Sequence, residues 1–427
     1  MNNNFFVWAI WLYVPLSILL KWANMYTGIQ NGLFVAVYLL ILGGICLART
    51  NFKALGNNGT EKLIGLYFIY NILSALITLN KGYSFSIVSS EIANSLVPII
   101  LFYLGEVLSE KEASIFEEIV MFSGIFITII GLYYNNSLDD PYYIDFLYAS
   151  QPNFSLHGFT VFPRLCAMLG SVECSTFGFV CVGLSFAKLV KGQYHKFFLF
   201  FLSGGLMVFL TLQRGAIACV VFEILICFIY INNKRSTIFF LIILLFVVFA
   251  CFFILQTYFI DVFESISYRM FLFDSAVSER SDGWMNAFNN GTMALLFGSG
   301  LATGGQRAIG ISAATVNDGN YFKIIYDCGL TGLLLLFFIL FSVVRKKSFL
   351  HYYSILIFCF MLQMIGSNVM TFQFTASFFW YVLGRLVSVN NNNYALGKEA
   401  SQPVSDSRND HAAIPASPNG QPNINTI

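Results

Sequence analysis

The sequence has little charge. Only 11% of the 427 residues are Asp, Glu, Lys or Arg, whereas a soluble domain carries about a quarter, and 57% are hydrophobic. So few charges cannot cover a water-facing surface, which excludes a soluble globular protein. The composition predicts a membrane protein with many spans. The lipid bilayer is therefore an expected partner and a nucleic acid is not.

Motifs for metal or redox chemistry are missing as well. None of the nine cysteines belongs to a C-x-x-C pair or a Cys/His cluster, and most lie in apolar runs, where cysteine behaves as a small hydrophobic residue. The loops that we predict to face outward contain no D-x-D motif and no histidine cluster. We therefore expect neither a metal ion nor another cofactor.

Long apolar runs occupy most of the chain. A helix needs about 20 apolar residues to cross the hydrocarbon core, and by that rule we count about twelve spans. The N-terminus has no basic region and no small-residue cleavage site, so the first run is predicted to be a retained helix and not a signal peptide. The predicted spans are 5–21, 30–48, 62–80, 86–108, 115–134, 165–187, 197–213, 214–231, 236–258, 322–344, 349–370 and 373–389. The predicted fold class is an all-α polytopic membrane protein.

Lysines and arginines set the predicted orientation. Short basic segments fall on alternate sides of the twelve spans and should face the cytoplasm, at 49–62, 188–196, 232–236 and 345–348. Both termini are then predicted to lie on the cytoplasmic side of the membrane. Residues 1–390 form the predicted transmembrane domain. Residues 391–427 are rich in Asn, Ser and Pro and are predicted to be a disordered cytoplasmic tail.

Two long loops are predicted on the outer, periplasmic side, at 135–164 and 259–321. Five arginines fall on that side, against the usual charge bias: Arg164, Arg214, Arg269, Arg280 and Arg307. The planar guanidinium fork suits a carboxylate or a phosphate, so an anionic ligand of the outer leaflet, such as a lipid-linked pyrophosphate, would explain them. The structural alternative is that they are snorkelling side chains at helix ends or members of internal ion pairs.

Two acids are predicted to lie deeper in the membrane. Glu173 and Glu223 each follow an arginine, Arg164 and Arg214, by nine residues. That spacing is about 13.5 Å along a helix and roughly the opposite face, so neither acid can pair with its arginine on the same helix. Each acid must find another partner or be protonated. A proton or ion path is one interpretation, and we favour the other, a hydrogen bond between helices.

Four stretches carry a resemblance to a known family. They are, in chain order, "PRLCAMLGSVECSTFG", "TLQRGAIACVV", "SERSDGWMNAFNNGTMALLFGSGLATG" and "VNDGNYFKIIYDCGLTGLLLLFFIL". They combine an arginine before a span, an arginine and a tryptophan four residues apart, and a polar turn that leads into a span. Their order and predicted outer position resemble the bacterial O-antigen and exopolysaccharide polymerase (Wzy-type) and O-antigen ligase superfamily.

The resemblance implies glycosyl transfer on the periplasmic face. The donor would be a glycan on undecaprenyl pyrophosphate. The acceptor would be another lipid-linked repeat unit in a polymerase, or lipid A-core in a ligase. The ligase pattern has a His-Asn pair before the tyrosine of the last motif, where this chain reads Asp318-Gly319-Asn320, so the missing histidine favours the polymerase. A chain-length regulator protein is a candidate partner. The rival class is a lipid-linked oligosaccharide flippase, whose two similar halves are not evident here.

Glycosyl transfer requires positive charge for the leaving pyrophosphate and a base for the attacking hydroxyl. We predict that Arg164, Arg214 and Arg280 hold the pyrophosphate, with Arg307 as a further substrate-binding residue. No metal is then required.

Asp318 is the candidate base and His157 the alternative, and Trp284, Asn320 and Tyr321 are candidate substrate contacts. Trp284 would stack on a sugar or on an arginine. Structural roles are the alternatives: Asp318 as a helix cap, His157 as a solvated loop residue, and Trp284 as part of an interfacial aromatic belt.

Arg214 gives the first testable prediction. Replacing Arg214 by Lys should abolish polymer formation as completely as replacing it by Ala, because a point charge does not reproduce the planar fork of donors. Polymer length, resolved on a gel of the extracted polysaccharide, measures the effect. Full-length polymer in the Lys variant would show that positive charge alone suffices.

Overall fold

The structure is a bundle of helices. The computed structural model describes residues 3–28, 32–49, 59–136, 140–150, 165–230, 253, 256–257, 281, 283–289, 291–305, 316, 318–344 and 351–401. Within these ranges every regular element is a helix and no strand occurs. The chain divides into a compact unit of residues 1–390 and a second unit of residues 391–427.

Fourteen α-helices, numbered here in chain order, are described. They are α1 Asn3–Thr27, α2 Gly32–Arg49, α3 Gly59–Asn80, α4 Phe85–Ser95, α5 Ile100–Val107, α6 Glu110–Asn136, α7 Pro141–Ser150, α8 Ser171–Val190, α9 Tyr194–Thr211, α10 Arg214–Tyr230, α11 Thr292–Phe297, α12 Asn320–Val344, α13 Tyr352–Gly366 and α14 Gln373–Ser401. Among the described residues, seven spans are long and apolar enough to cross a membrane, one of them formed by α4 and α5 together. The predicted fold class is confirmed.

The predicted spans agree with these helices along most of the chain. Each predicted span corresponds to a described helix or helix pair, except 236–258, of which only 253, 256 and 257 are described. The predicted outer loops contain two helices of their own, α7 and α11. The last helix, α14, continues to Ser401, past residue 390 where the tail was predicted to begin. Residues 402–427 of that tail lie outside the described part of the chain.

The predicted span 86–108 is broken in the middle. Helix α4 ends at Ser95 and α5 begins at Ile100, with a single 3-10 turn, Val97–Ile99, between them. Pro98 lies in that turn, and a proline has no backbone N–H to continue an α-helical ladder. The predicted span therefore consists of two short helices, which together are long enough to cross a membrane.

Helix α12 bends sharply at Gly329. This residue has φ 69° and ψ −178°, a conformation that only glycine adopts without strain. Tyr321 and Phe337 lie on either side of the bend, and their rings stack with centroids 5.7 Å apart. Sixteen residues would separate them by about 24 Å in a straight helix. The bend therefore turns the first part of α12 away from the axis of the second.

The apolar stretch "GTMALLFGSGL" enters the bundle beside this bend. Helix α11 covers its first half, and the following backbone N–H groups of Ser299 and Gly300 donate to the carbonyl oxygens of Tyr326 and Asp327 at 2.7 and 2.9 Å. Leu301 N then donates to the carbonyl oxygen of Ser74 on α3 at 3.3 Å. We call residues 297–305 the inserted segment. These backbone contacts pack the inserted segment between α3 and α12.

Two ends of the bundle can be distinguished. At the first, α8, α10 and α12 begin and α1 and α3 end, and Gln213 donates to Ser171 Oγ at 3.3 Å. We call it the Arg214 end. At the second, the buried Arg385 donates to the carbonyl oxygens of Gly105 and Leu108 at 3.1 and 2.7 Å, which completes the end of α5. We call it the Arg385 end.

The bend yields a prediction about stability. A Cβ on residue 329 would lie 2.4 Å from the backbone of Leu296, and the positive φ adds strain, so Gly329→Ala should lower the apparent Tm and reduce stability by about 1–3 kcal/mol or more. Gly65→Ala is the matched control, because a Cβ there has no neighbour within 4 Å. Thermal unfolding of the purified protein in detergent measures both. Equal Tm values would mean that the bend tolerates a side chain.

Candidate functional site

Arg214 is the first residue of α10. Helix α9 ends at Thr211, and Leu212 adopts the left-handed conformation with φ 53°, so the two helices are joined by only two residues. The predicted back-to-back spans in "TLQRGA" are thus confirmed. Arg214 is half-buried, and the neighbouring Gln213 ties this joint to the start of α8. The arginine therefore lies at a helix end of the bundle and not in the middle of a span.

Trp284 and Asp318 are brought together. The indole Nε1 of Trp284 donates to the backbone carbonyl of Asp318 at 2.7 Å. Its ring stacks on Phe322 of α12, with centroids 4.7 Å apart and an interplanar angle of 12°. One face of the Trp284 ring is therefore covered by Phe322. The bond reaches the backbone carbonyl of Asp318 and not its half-buried carboxylate.

The two residues that begin α12 have structural partners. The side chain of Asn320 is buried, and its Oδ1 accepts a hydrogen bond from Met370 N at 2.8 Å. The hydroxyl of Tyr321 donates to the carbonyl oxygen of Met361 on α13 at 2.9 Å. Both bonds fix the start of α12 against the neighbouring helices. Substrate contact by either residue stays a prediction.

The remaining candidates lie outside the described residues. These are His157, Arg164, Arg280 and Arg307, together with Arg269. The structure therefore groups Trp284, Asp318, Asn320 and Tyr321 around the start of α12 and places Arg214 at the start of α10. Convergence of the outer arginines on one site remains a prediction.

A buried ion cluster was not recognised in the sequence. Lys323 Nζ lies 2.8 Å from Glu91 Oε1 of α4 and 2.6 Å from Asp327 Oδ2, one turn further along α12. All three side chains are buried. A signal for it exists, because a lysine and an aspartate four residues apart within a span are costly to bury singly and are neighbours on a helix.

The ion cluster also fixes the inserted segment. Asp327 Oδ1 accepts hydrogen bonds from Gly304 N at 2.7 Å and from Thr303 Oγ1 at 3.3 Å. A small cavity of about 30 Å³ lies beside the cluster, with Asn320 in its lining. The ion cluster, the inserted segment and the start of α12 therefore lie together.

The two deep acids differ in their surroundings. Glu173 Oε2 lies 2.5 Å from Lys21 Nζ, so an ion pair joins α8 to α1, which agrees with the favoured interpretation of a bond between helices. Glu223 is fully buried on α10 and has no ion-pair partner within the described ranges. Among the described residues, no three His, Cys, Asp or Glu side chains form a group that could hold a metal ion.

Comparison with known proteins identifies the class. The helices define a polytopic membrane protein, and the part of it that carries Arg214, Trp284, Asp318 and Lys323 matches a known family. Residues 198–337, about a third of the chain, match the family model described as O-antigen ligase. The resemblance to the O-antigen ligase superfamily is thereby confirmed, and a function within the ligase and polymerase family is supported. No curated protein matches the chain.

The ion cluster yields a prediction about protein stability. Lys323→Met should destabilise the protein by about 3–5 kcal/mol, because it leaves two buried carboxylates without their cation. Glu91→Gln should cost less, since the Lys323–Asp327 pair remains. Lys191→Met, at an exposed position after α8, is the control. Apparent Tm values in detergent rank the three variants, and a Glu91 variant less stable than the Lys323 variant would overturn this order.

Proposed function

We propose that the protein is an oligosaccharide repeat-unit polymerase of the bacterial inner membrane. It transfers a glycan from undecaprenyl pyrophosphate to a second lipid-linked repeat unit. The reaction takes place at the Arg214 end, which in this proposal faces the periplasm, and both termini are cytoplasmic. The product is an O-antigen or exopolysaccharide chain.

One observation carries the proposal. The family match covers residues 198–337, and within it Arg214, Trp284 and Asp318 all belong to helix starts or loops at one end of the bundle. Arg280 and Arg307 also lie within the matched sequence. Most of the residues that suit a diphosphate and a sugar therefore lie in the matched part of the chain, whereas Arg164 and His157 precede it.

The chemistry follows from these groups. A hydroxyl oxygen of the acceptor attacks the anomeric carbon of the donor sugar and forms the new glycosidic bond. The bond from that carbon to the pyrophosphate oxygen breaks, and undecaprenyl pyrophosphate leaves with the electron pair. The hydroxyl proton passes to Asp318, or to His157 if that residue is the base. Arg164, Arg214 and Arg280 stabilise the charge on the leaving group without a metal ion, and Arg307 is a further substrate-binding residue.

A ligase is the second candidate, because the matched family model is described as O-antigen ligase. A ligase would transfer finished polymer to lipid A-core. The sequence Asp318-Gly319-Asn320 favours the polymerase, since the resemblance to ligases implies a histidine in this place. A flippase has less support, because the matched family model describes a glycan-transferring ligase and a flippase performs no glycosyl transfer.

Glycan profiling of a deletion strain tests the proposal. Loss of a polymerase leaves single repeat units on the core, because ligation continues without polymerisation. Loss of a ligase leaves the core bare and accumulates lipid-linked polymer. We expect single repeats, and the same strain carrying the wild-type chain on a plasmid, as control, should regain full-length polymer. A bare core with lipid-linked polymer would show the ligase, and accumulation of lipid-linked single repeats on the cytoplasmic side would show a flippase.

A further inference from the structure

A polar cavity lies near the Arg214 end, and its lining contains none of the candidate site residues. Its volume is about 360 Å³, within the range of small-molecule sites. It is partly open and is lined by residues of α1, α2, α4 and α8 and by residues 372–373 at the start of α14. Its polar lining includes Lys21, Asn24, Ser86, Ser89, Asn94 and Glu173. A water-free packing of helices would not require this concentration of hydroxyl and amide groups between spans.

Glu173 points to a ligand for this cavity. Its side chain is 3% exposed, and one oxygen, Oε2, binds Lys21. The other oxygen, Oε1, has no hydrogen-bond partner among the described residues. A buried carboxylate oxygen left without a donor is costly, so a donor from outside the protein would complete it.

The lining defines the chemistry of that ligand. Lys21 and Glu173 are the charged side chains in it, and they neutralise each other, so no net charge favours a free anion. Serine hydroxyls and asparagine amides both donate and accept hydrogen bonds, as sugar hydroxyls do. Phe372, half-buried at the start of α14, adds an aromatic surface on which the apolar face of a sugar ring can lie. These features fit a neutral saccharide better than a phosphate or a lipid tail.

We propose that this cavity binds a saccharide, namely the sugar part of the acceptor. The lining residues lie at 21–94, 173 and 372–373, wholly outside the matched segment 198–337. The matched segment would then supply the groups for transfer, and the remainder of the bundle would select the acceptor sugar. The assignment to the acceptor rests on the proposed function, whereas saccharide binding by the cavity does not.

Two glycines on α2 allow a matched test. A Cβ on Gly32 would have one neighbour within 4 Å, Asn94 Oδ1 at 3.8 Å, so Gly32→Leu should fold normally and fill the cavity. A Cβ on Gly44, exposed on the same helix, has no neighbour within 4 Å, so Gly44→Leu adds the same side chain outside the cavity. Asn94→Leu is a second variant, which removes polar lining while keeping the number and branching of the side-chain heavy atoms.

The full-length protein in nanodiscs is mixed with oligosaccharides released by partial acid hydrolysis from the producing bacterium's own polysaccharide. Binding is measured by calorimetry, and an unrelated maltooligosaccharide serves as the ligand control. Gly32→Leu and Asn94→Leu should weaken binding about tenfold or more, because lost hydrogen bonds and lost space both oppose the ligand. Gly44→Leu should bind as the wild type does. Equal affinity in the Gly32 and Gly44 variants, or no binding by the wild type, would overturn the proposal.

This test is separable from the test of the proposed function. If Gly32→Leu loses binding but the deletion strain shows a flippase or ligase profile, the saccharide site stands and the polymerase does not. If the deletion strain shows a polymerase profile but Gly32→Leu binds normally, the polymerase stands and the site does not.

Discussion

The arrangement of the Arg214 end depends on one buried cation. Lys323 binds Glu91 of α4 at 2.8 Å and Asp327 of its own helix at 2.6 Å, and Asp327 in turn binds the backbone of Gly304. Burial makes each charge expensive alone, so the three side chains must stay together. Their contacts join α4, α12 and the inserted segment. Asp318 lies just before α12 and accepts a hydrogen bond from Trp284, and Phe322 of α12 stacks on the Trp284 ring. The ion cluster therefore holds in place the helix beside which the candidate site is built.

The candidate site and the proposed saccharide cavity are formed mainly by two different parts of the sequence. The matched segment contains most of the candidate groups for charge and proton transfer, among them Arg214 and Asp318, whereas Arg164 and His157 precede it. The cavity beside Glu173 is lined by residues that all lie outside the matched segment. Both parts meet at the start of α8, where Ser171 contacts Gln213 and Glu173 contacts Lys21.

Much of the helical architecture could be predicted from the sequence, because apolar length alone determines where a helix can cross a bilayer. The joint between α9 and α10 is an example. The bend at Gly329 could not be predicted, since it depends on contact with Leu296, and "CGLTG" alone does not reveal that neighbour. The pairing of Lys323 with Glu91 joins residues 232 positions apart, beyond any local pattern. Pro98 was visible in the sequence, yet its break was missed because the apolar run continues across it.

The central claim is that a lipid diphosphate binds at the Arg214 end. The most direct test is an electron cryo-microscopy structure of the protein in nanodiscs with undecaprenyl pyrophosphate. The account predicts density for the diphosphate beside Arg214, at the end where α12 begins, with the lipid chain running along the bundle. A diphosphate bound instead at the Arg385 end, where Lys188 pairs with Glu118, would contradict the account.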